Sequence, residues 1–203
     1  ISACLVGSEM CIRDRYPLMG KFDFSSVKIT TEQSLSGGGR KMLERGRSGL
    51  PVDSSIPGES ESVVSELNRI LGKKIEGIFQ EANLDFKVWC SRSNHDYGHF
   101  ATIEINFTKQ VSAHEIIEAW QIFSSEVVDS RLPSSSNVID FIDGVLDPIE
   151  HRWGNSVSES PDKNLSAGMS VSVAEIEVSD NKLKFKLLLS LIHISEPTRQ
   201  AEI

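Results

Sequence analysis

The chain has 203 residues, of which 39% are hydrophobic and 25% are charged, and its formal net charge is −8. Such a composition is typical of a folded protein with one sizeable core, and the acidic balance without a long basic run argues against nucleic acid as the main partner. No apolar run reaches the length that spans a bilayer, so no membrane association is expected.

The two ends of the chain differ in kind from the rest. Residues 1–15 read ISACLVGSEMCIRDR, and residues 187–203 read LLLSLIHISEPTRQAEI. Both resemble translated sequencing-adapter tails, and the first lacks the basic start and apolar centre of a signal peptide. We therefore predict a folded domain from residue 16 to residue 186. Cys90 is the one cysteine inside it, so neither a disulfide framework nor a metal site is expected, and a reduced, cytoplasmic protein is the default.

The first half of this domain alternates strand and helix signals. Residues 22–31 predict a strand, and three glycines follow it at residues 37–39. Glycines there permit close backbone approach, and residues 40–45 could then begin a helix. After a Gly/Ser/Pro-rich loop, residues 61–71 carry an amphipathic helical pattern that Gly72 closes.

Two segments in the middle of the chain alternate apolar and polar residues, and an arginine and a histidine fall on the apolar positions of this alternation. Residues 84–91 and 101–107 both alternate with period two, and Arg92 and His99 share the parity of their apolar side chains. We predict a hairpin whose mouth carries both side chains on one face. An inward guanidinium needs an anion, and a neighbouring imidazole can exchange protons near neutral pH. The alternative is a structural arginine, paired with Glu104 or a loop carbonyl, beside a satisfied core histidine.

The last third of the domain adds a helix and a second hairpin. Residues 112–115 form a capping box that opens an amphipathic helix. Residues 143–167 are polar without a clear period and predict a long loop, and residues 169–178 and 182–186 predict a hairpin. This order of elements predicts an α+β fold, in which an antiparallel or mixed sheet carries helices on one face.

Three motifs in this order carry a resemblance to a known family. They are the segment from Gln33 through the three glycines, the segment from Glu59 into the following helix, and Arg92 with His99. Together they resemble the C-terminal half of aspartate-semialdehyde dehydrogenase, in its archaeal/fungal-like branch, over most of residues 23–186. The resemblance implies a domain like the C-terminal domain of glyceraldehyde-3-phosphate dehydrogenase.

The resemblance also implies a reaction and the residues that serve it. The family reversibly reduces aspartyl phosphate to aspartate semialdehyde and phosphate with NADPH. Gln33 matches the glutamine that orients the substrate, and Glu59 matches the acidic residue that receives its ammonium group. Arg92 matches the arginine that clamps the carboxylate, and His99 matches the general acid/base.

The cofactor and partners follow from the same resemblance. The small residues of the glycine turn match a segment near the nicotinamide of NADP; they are Ser36, Gly37, Gly38 and Gly39. The family also implies a homodimer or homotetramer and a place in the synthesis of lysine, methionine and threonine.

This sequence departs from the family pattern at several points. A lysine that helps bind phosphate is replaced by Ser62, and the loop after Arg92 is altered, with His95 in it. The nucleophilic cysteine and the dinucleotide-binding loop of the family would lie upstream of Gln33, where nothing in this sequence matches them. Cys90 lies mid-strand on the apolar parity and is expected to pack as a small hydrophobe.

These departures leave three interpretations of function. The first is an inactive fragment of an NADP-dependent aspartate-semialdehyde dehydrogenase. The second is a non-catalytic paralogue that survives as a dimerisation module, which Ser62 motivates. The third is an enzyme like the acetylglutamyl-phosphate reductases, against which Glu59 with Arg92 argues, because an acylated amine needs no carboxylate partner.

Overall fold

The computed structural model describes residues 14–129, 138–154, 160, 163, 164 and 167–190. The elements follow in the order α1 (Tyr16–Lys21), β1 (Phe24–Gln33), a 3-10 turn (Leu35–Gly38), α2 (Arg40–Arg47), α3 (Glu59–Ile70), β2 (Lys73–Ile75), β3 (Ile78–Gln80), β4 (Asp85–Arg92), β5 (His99–Phe107), α4 (Ala113–Asp129), β6 (Ile139–Phe141), β7 (Val171–Ser179) and β8 (Lys182–Leu189). Within these ranges, no helix combines the length and the apolar character that crossing a bilayer requires.

One mixed sheet of six strands organises the domain, with strand order β4-β1-β5-β8-β7-β6. Strand β1 pairs in parallel with β4 and antiparallel with β5. The predicted hairpin of β4 and β5 is therefore wrong, because β1 lies between them. The connection of six residues, 93–98, can reach roughly 20 Å when extended. Six residues are therefore enough to cross the end of β1, so the loop length alone did not distinguish this crossing from a tight hairpin turn.

The main core lies on one face of this sheet, under α3 and α4. Alternation places the apolar parity of the strands on that face, as the burial pattern of β5 shows most clearly. Trp120 of α4 is fully buried, and its ring meets the Phe185 ring edge-on at 5.1 Å between centroids. Val63 and Leu67 of α3 belong to the same cluster. The predicted α+β fold, with helices on one face of a mixed sheet, is confirmed.

Local signals in the sequence correctly predicted the ends of several helices and strands. The capping box forms: the Ser112 amide and hydroxyl donate to Glu115 Oε2 at 2.9 and 2.7 Å, and the Glu115 amide donates back to the Ser112 hydroxyl at 3.3 Å. Strands β7 and β8 form the predicted antiparallel hairpin. The short strands β2, β3 and β6 were not predicted, since three residues each are too few to show a period.

The described fold begins before residue 16 and continues past residue 186. Leu187, Leu188 and Leu189 continue β8, and none is more than 1% exposed. At the other end Asp14 is buried, and its carbonyl accepts a hydrogen bond of 2.6 Å from the Trp120 indole. A stretch that resembles an adapter can still be buried, because burial depends only on whether its side chains fit the core. The resemblance therefore does not predict where the folded part ends. Residues 1–13 and 191–203 lie outside the described residues, so their adapter origin stays a prediction.

Candidate functional site

Three of the predicted site residues form a row across one end of the sheet. Gln33 at the end of β1 is paired with Arg92 at the end of β4. On the other side of β1, Glu32 is paired with Phe100, and one further step of this register places Gln33 opposite His99. Residues in register on neighbouring strands point to the same face, about 4.8 Å apart. The row therefore spans roughly 10 Å on the face that α3 covers.

Glu59 joins this row from the helical layer. It is the first residue of α3 and is 8% exposed. Its Oε1 accepts a hydrogen bond of 2.9 Å from the Gln33 side-chain amide. Its negative charge also acts on Arg92, where it opposes the lowering of the arginine pKa. The fold thus brings together the four side chains that the resemblance matched to substrate binding and proton transfer.

Arg92 is half-buried and poorly satisfied. Its Nε is buried without a hydrogen-bond partner, and Nη1 approaches the Ser34 carbonyl only at 3.4 Å. Of the two structural partners considered from the sequence, Glu104 pairs instead with Lys28 at 2.9 Å on the opposite face, whereas a loop carbonyl, that of Ser34, does accept this long contact from Arg92. Burial lowers the pKa of the Arg92 guanidinium, which stays charged even so. An anion arriving at this end of the sheet would complete its hydrogen bonding.

His99 is buried in the same row and is held neutral. It is 2% exposed, and neither ring nitrogen has a hydrogen-bond partner. Burial, and secondly the nearby charge of Arg92, lower the pKa of its imidazole to about 4. A satisfied core histidine is therefore not what the structure contains. A neutral imidazole has a nitrogen lone pair that can accept a proton, but a pKa of about 4 makes His99 a weak base until that pKa is raised.

The glycine turn lies against Arg92. A Cβ at Gly38 would overlap the Met42 sulfur and stand 3.2 Å from Arg92 Nη1, and Gly39 has a φ of 86° that other residues rarely adopt. The amides of Ser36, Gly37 and Gly39 already donate to protein carbonyls. Gly38 is therefore explained by the close packing of Met42 and Arg92 against the turn, and the paired amides do not favour an anion there.

Two further residues named from the sequence lie at the margin of this site. Ser62 is half-buried on α3, one turn after Glu59, and brings no charge there. His95 is exposed in the loop of residues 93–98, with its ring 5.4 Å from the Phe100 ring. Ser62 therefore supplies no cation of the kind that the lysine of the resembling family would provide.

Cys90 is expected to be unreactive in the folded chain. It is 7% exposed in β4, and burial raises the pKa of its thiol. With Cys4 and Cys11 replaced by serine, Ellman's reagent should modify native Cys90 at least ~100-fold more slowly than the same protein in guanidinium, because the thiolate is the reacting species. Similar rates in the two conditions would contradict this and would readmit Cys90 as a nucleophile.

The loop that follows Arg92 is tied down by contacts that the sequence did not indicate. Arg47 Nε donates to Asp96 Oδ2 at 2.8 Å, and the Ser36 amide donates to the Asp96 carbonyl at 3.1 Å. Asp96 thus links α2 and the glycine turn to the loop that delivers His99. Residues 49 positions apart leave no local pattern, so only the fold reveals this contact.

Comparison with known proteins gives relatives of about twice this length. No family model matches the chain. The malonyl CoA reductase (NADP) of Metallosphaera sedula is 26% identical over 189 residues, which cover 87% of this chain and 48% of that protein. The chain therefore spans about half the length of this curated relative.

Solved structures show where the fold belongs. Aspartate semialdehyde dehydrogenase with NADP from Candida albicans matches with a TM-score of 0.69 and 21% identity, over 96% of this chain and 53% of that one. The enzyme from Francisella tularensis matches with a TM-score of 0.62 and 14% identity, over 98% of this chain and 62% of that one. The expected likeness to aspartate-semialdehyde dehydrogenases in fold is confirmed. The chain has the fold of roughly half of such an enzyme.

Proposed function

We propose that this chain is the substrate-binding half of an NADP-dependent oxidoreductase that reduces L-aspartyl 4-phosphate to L-aspartate 4-semialdehyde. The observation that carries the proposal is the row of Arg92, Gln33 and His99 with Glu59 hydrogen-bonded to it. A guanidinium and a carboxylate at one site match the two charges of a free amino-acid head group. Fold likeness to the Candida albicans enzyme with NADP supports the cofactor.

Each side chain of the row has a part in this reaction. Arg92 binds the substrate carboxylate with its planar fork, and Glu59 binds the ammonium group. Gln33, held by Glu59, fixes the orientation of the head group. His99 accepts the proton of the attacking thiol and returns one to the oxygen that develops charge. We expect the nicotinamide of NADPH, which supplies hydride when bound, to lie near the turn of residues 36–39, as the resemblance implies.

The proposal requires groups that the described residues do not supply. The thiol nucleophile is not Cys90, which is buried in β4. We place the nucleophile and the dinucleotide-binding domain in a further part of the parent enzyme, so the 203-residue chain is expected not to turn over substrate. The parent would act as a cytoplasmic homodimer or homotetramer in the synthesis of lysine, methionine and threonine.

Ligand binding by the chain tests the head-group assignment. We expect L-aspartate semialdehyde to bind to the wild-type chain, as followed by amide chemical shifts in heteronuclear NMR. Arg92→Met should weaken it by about 1.5–3 kcal/mol, the worth of a hydrogen bond to a charged group. Glu59→Gln should remove the preference for L-aspartate semialdehyde over succinate semialdehyde, which lacks the amine.

The control for this experiment is Glu61→Gln, two residues along the same helix and exposed. It changes the net charge as Glu59→Gln does, yet should leave the preference for the amine unchanged. Equal affinities of the wild-type chain for the two semialdehydes would contradict the role of Glu59. Unchanged binding by Arg92→Met would contradict the carboxylate clamp and the proposed reaction with it.

A second candidate is reduction of a coenzyme A thioester in place of an acyl phosphate. Ser62 offers no cation for a phosphate, and the Metallosphaera sedula relative is a malonyl CoA reductase. A malonyl group has no amine, so this candidate gives Glu59 no cationic group of the substrate to bind, only its contact with Gln33. Tighter binding of malonate semialdehyde than of L-aspartate semialdehyde to the wild-type chain would favour it.

A further inference from the structure

Two arginines from distant parts of the chain meet at one tyrosine beside the site. The guanidinium carbon of Arg152 lies 5.3 Å from the centre of the Tyr97 ring and 4.3 Å from the centre of the Trp153 ring. The guanidinium carbon of Arg47 lies 5.8 Å from the same Tyr97 ring, and its Nη2 donates to the Tyr97 hydroxyl at 3.3 Å. We call Arg47, Tyr97 and Arg152 the arginine–tyrosine cluster.

The two arginines of this cluster differ in their charge partners. Arg47 pairs with Asp96 at 2.8 Å. Arg152 forms no ion pair with any carboxylate in the part of the chain that the structure describes, and its buried Nε has no hydrogen-bond partner. Aromatic rings stabilise a guanidinium through cation–π contact but leave its N–H edge without an acceptor. Counted together with Asp96, the cluster therefore carries one net positive charge, and Arg152 has N–H donors that no described protein acceptor satisfies.

One neighbouring element, helix α2, adds to this local excess, whereas Asp147 and Glu150 on the segment before Arg152 oppose it. Helix α2 carries Arg40, Lys41, Arg45 and Arg47 against a single acid, Glu44, although the whole protein has a net charge of −8. A concentration of one sign of charge on a protein of the other sign attracts a counter-ion to that place. The cluster lies at the end of this helix, and Tyr97 is two residues before His99.

We propose that the arginine–tyrosine cluster binds a diphosphate group. Both guanidinium carbons are close to one ring centre, so they lie no more than about 11 Å apart, a span that two linked phosphates can bridge. Arg152 binds one phosphate with its planar fork, and Arg47 with the Tyr97 hydroxyl binds the other. This site is separate from Arg92, which lies in the strand row and contacts the glycine turn. The proposal does not depend on which acyl group the neighbouring site reduces.

Titration of the 203-residue chain with inorganic pyrophosphate by isothermal calorimetry tests this site. We expect saturable binding that Arg152→Gln and Arg47→Gln each weaken by roughly tenfold or more, the loss of one charge-assisted hydrogen bond. Arg40→Gln is the matched control. It removes the same charge from α2, about 10 Å away from Arg47 along the helix, and should change the affinity less than twofold.

Arg152→Lys is a second variant for the case that Arg152→Gln does not fold, because it keeps the positive charge and loses only the planar fork of the guanidinium. Folded Arg152→Lys should still bind pyrophosphate more weakly than the wild-type chain does. Equal weakening by Arg152→Gln and Arg40→Gln would overturn the proposal. So would a lower melting temperature of the Arg152 variants with unchanged affinity, because the cluster would then only hold the loop of residues 93–98.

Parallel titrations identify the source of the diphosphate. Tighter binding of NADP than of pyrophosphate, lost in Arg152→Gln, would assign the site to the nucleotide cofactor. Tighter binding of coenzyme A would assign it to an acyl carrier. Binding of inorganic phosphate as tight as that of pyrophosphate would overturn the diphosphate assignment. Binding of L-aspartate semialdehyde is measured separately at Arg92, so the two proposals fail independently.

Discussion

A chain that ends at Lys186 is expected to lose its cooperative unfolding transition, whereas a chain that ends at Ser190 is expected to keep it. The difference is the last stretch of β8, whose three leucines are at most 1% exposed. Removing one buried leucine side chain typically costs about 2–5 kcal/mol. Three together approach or exceed the roughly 5–15 kcal/mol that holds a whole domain folded.

The two truncated chains should be compared by circular dichroism during thermal unfolding, with the full chain as reference. A point variant gives a finer test: Leu187→Ala should lose about 2–5 kcal/mol of unfolding free energy. Leu50→Ala should lose much less, since Leu50 is 55% exposed. A sharp transition in the chain that ends at Lys186, at the temperature of the longer chain, would show that the sheet does not need these leucines.

The faces of the strands could be predicted from the sequence, whereas their neighbours could not. A period of two fixes which side of the sheet a residue occupies, and it placed Arg92 and His99 on the core side correctly. The same period carries no information about which strand lies alongside. Strand β1 entered between β4 and β5 because it pairs with both over most of its length, a long-range effect that no local signal reports.

The residues of the candidate site could be predicted where a single segment of the sequence carried a recognisable motif. Gln33, Glu59, Arg92 and His99 were named from motifs, and the register of three strands with one helix explains why they meet. The arginine–tyrosine cluster was not named, since it joins α2, the loop before β5 and the segment after β6. Each of these segments alone appears as an ordinary polar surface in the sequence.

His99 is expected to make the protein unfold more readily in acid. Its folded pKa of about 4 lies below the ordinary histidine value of 6.5, so between these pH values the unfolded chain binds a proton that the folded chain does not bind. The stability from this group is complete above pH 6.5 and is lost as the pH falls towards 4. At pH 4 the loss should be about 3 kcal/mol, and a His99→Gln variant should not show it.

The measurement is the unfolding free energy from urea titrations at several pH values, taken as the difference between wild type and His99→Gln. That difference cancels the carboxylates, which titrate in both proteins. It should be flat above pH 7 and change by up to about 1.4 kcal/mol per pH unit below the histidine's ordinary pKa.

The same linkage connects stability to the proposed chemistry. Arg92 is one of the two causes that keep the imidazole of His99 neutral. A substrate carboxylate bound to Arg92 would offset that positive charge, so the pKa of His99 should rise on binding. His99 would then take up a proton most readily when substrate is in place. The pKa of His99 can be measured from its ring signal by NMR, with and without L-aspartate semialdehyde. The same pKa in both titrations would show that substrate at Arg92 does not act on His99. His99 would then be a buried group that costs stability in acid without serving the site.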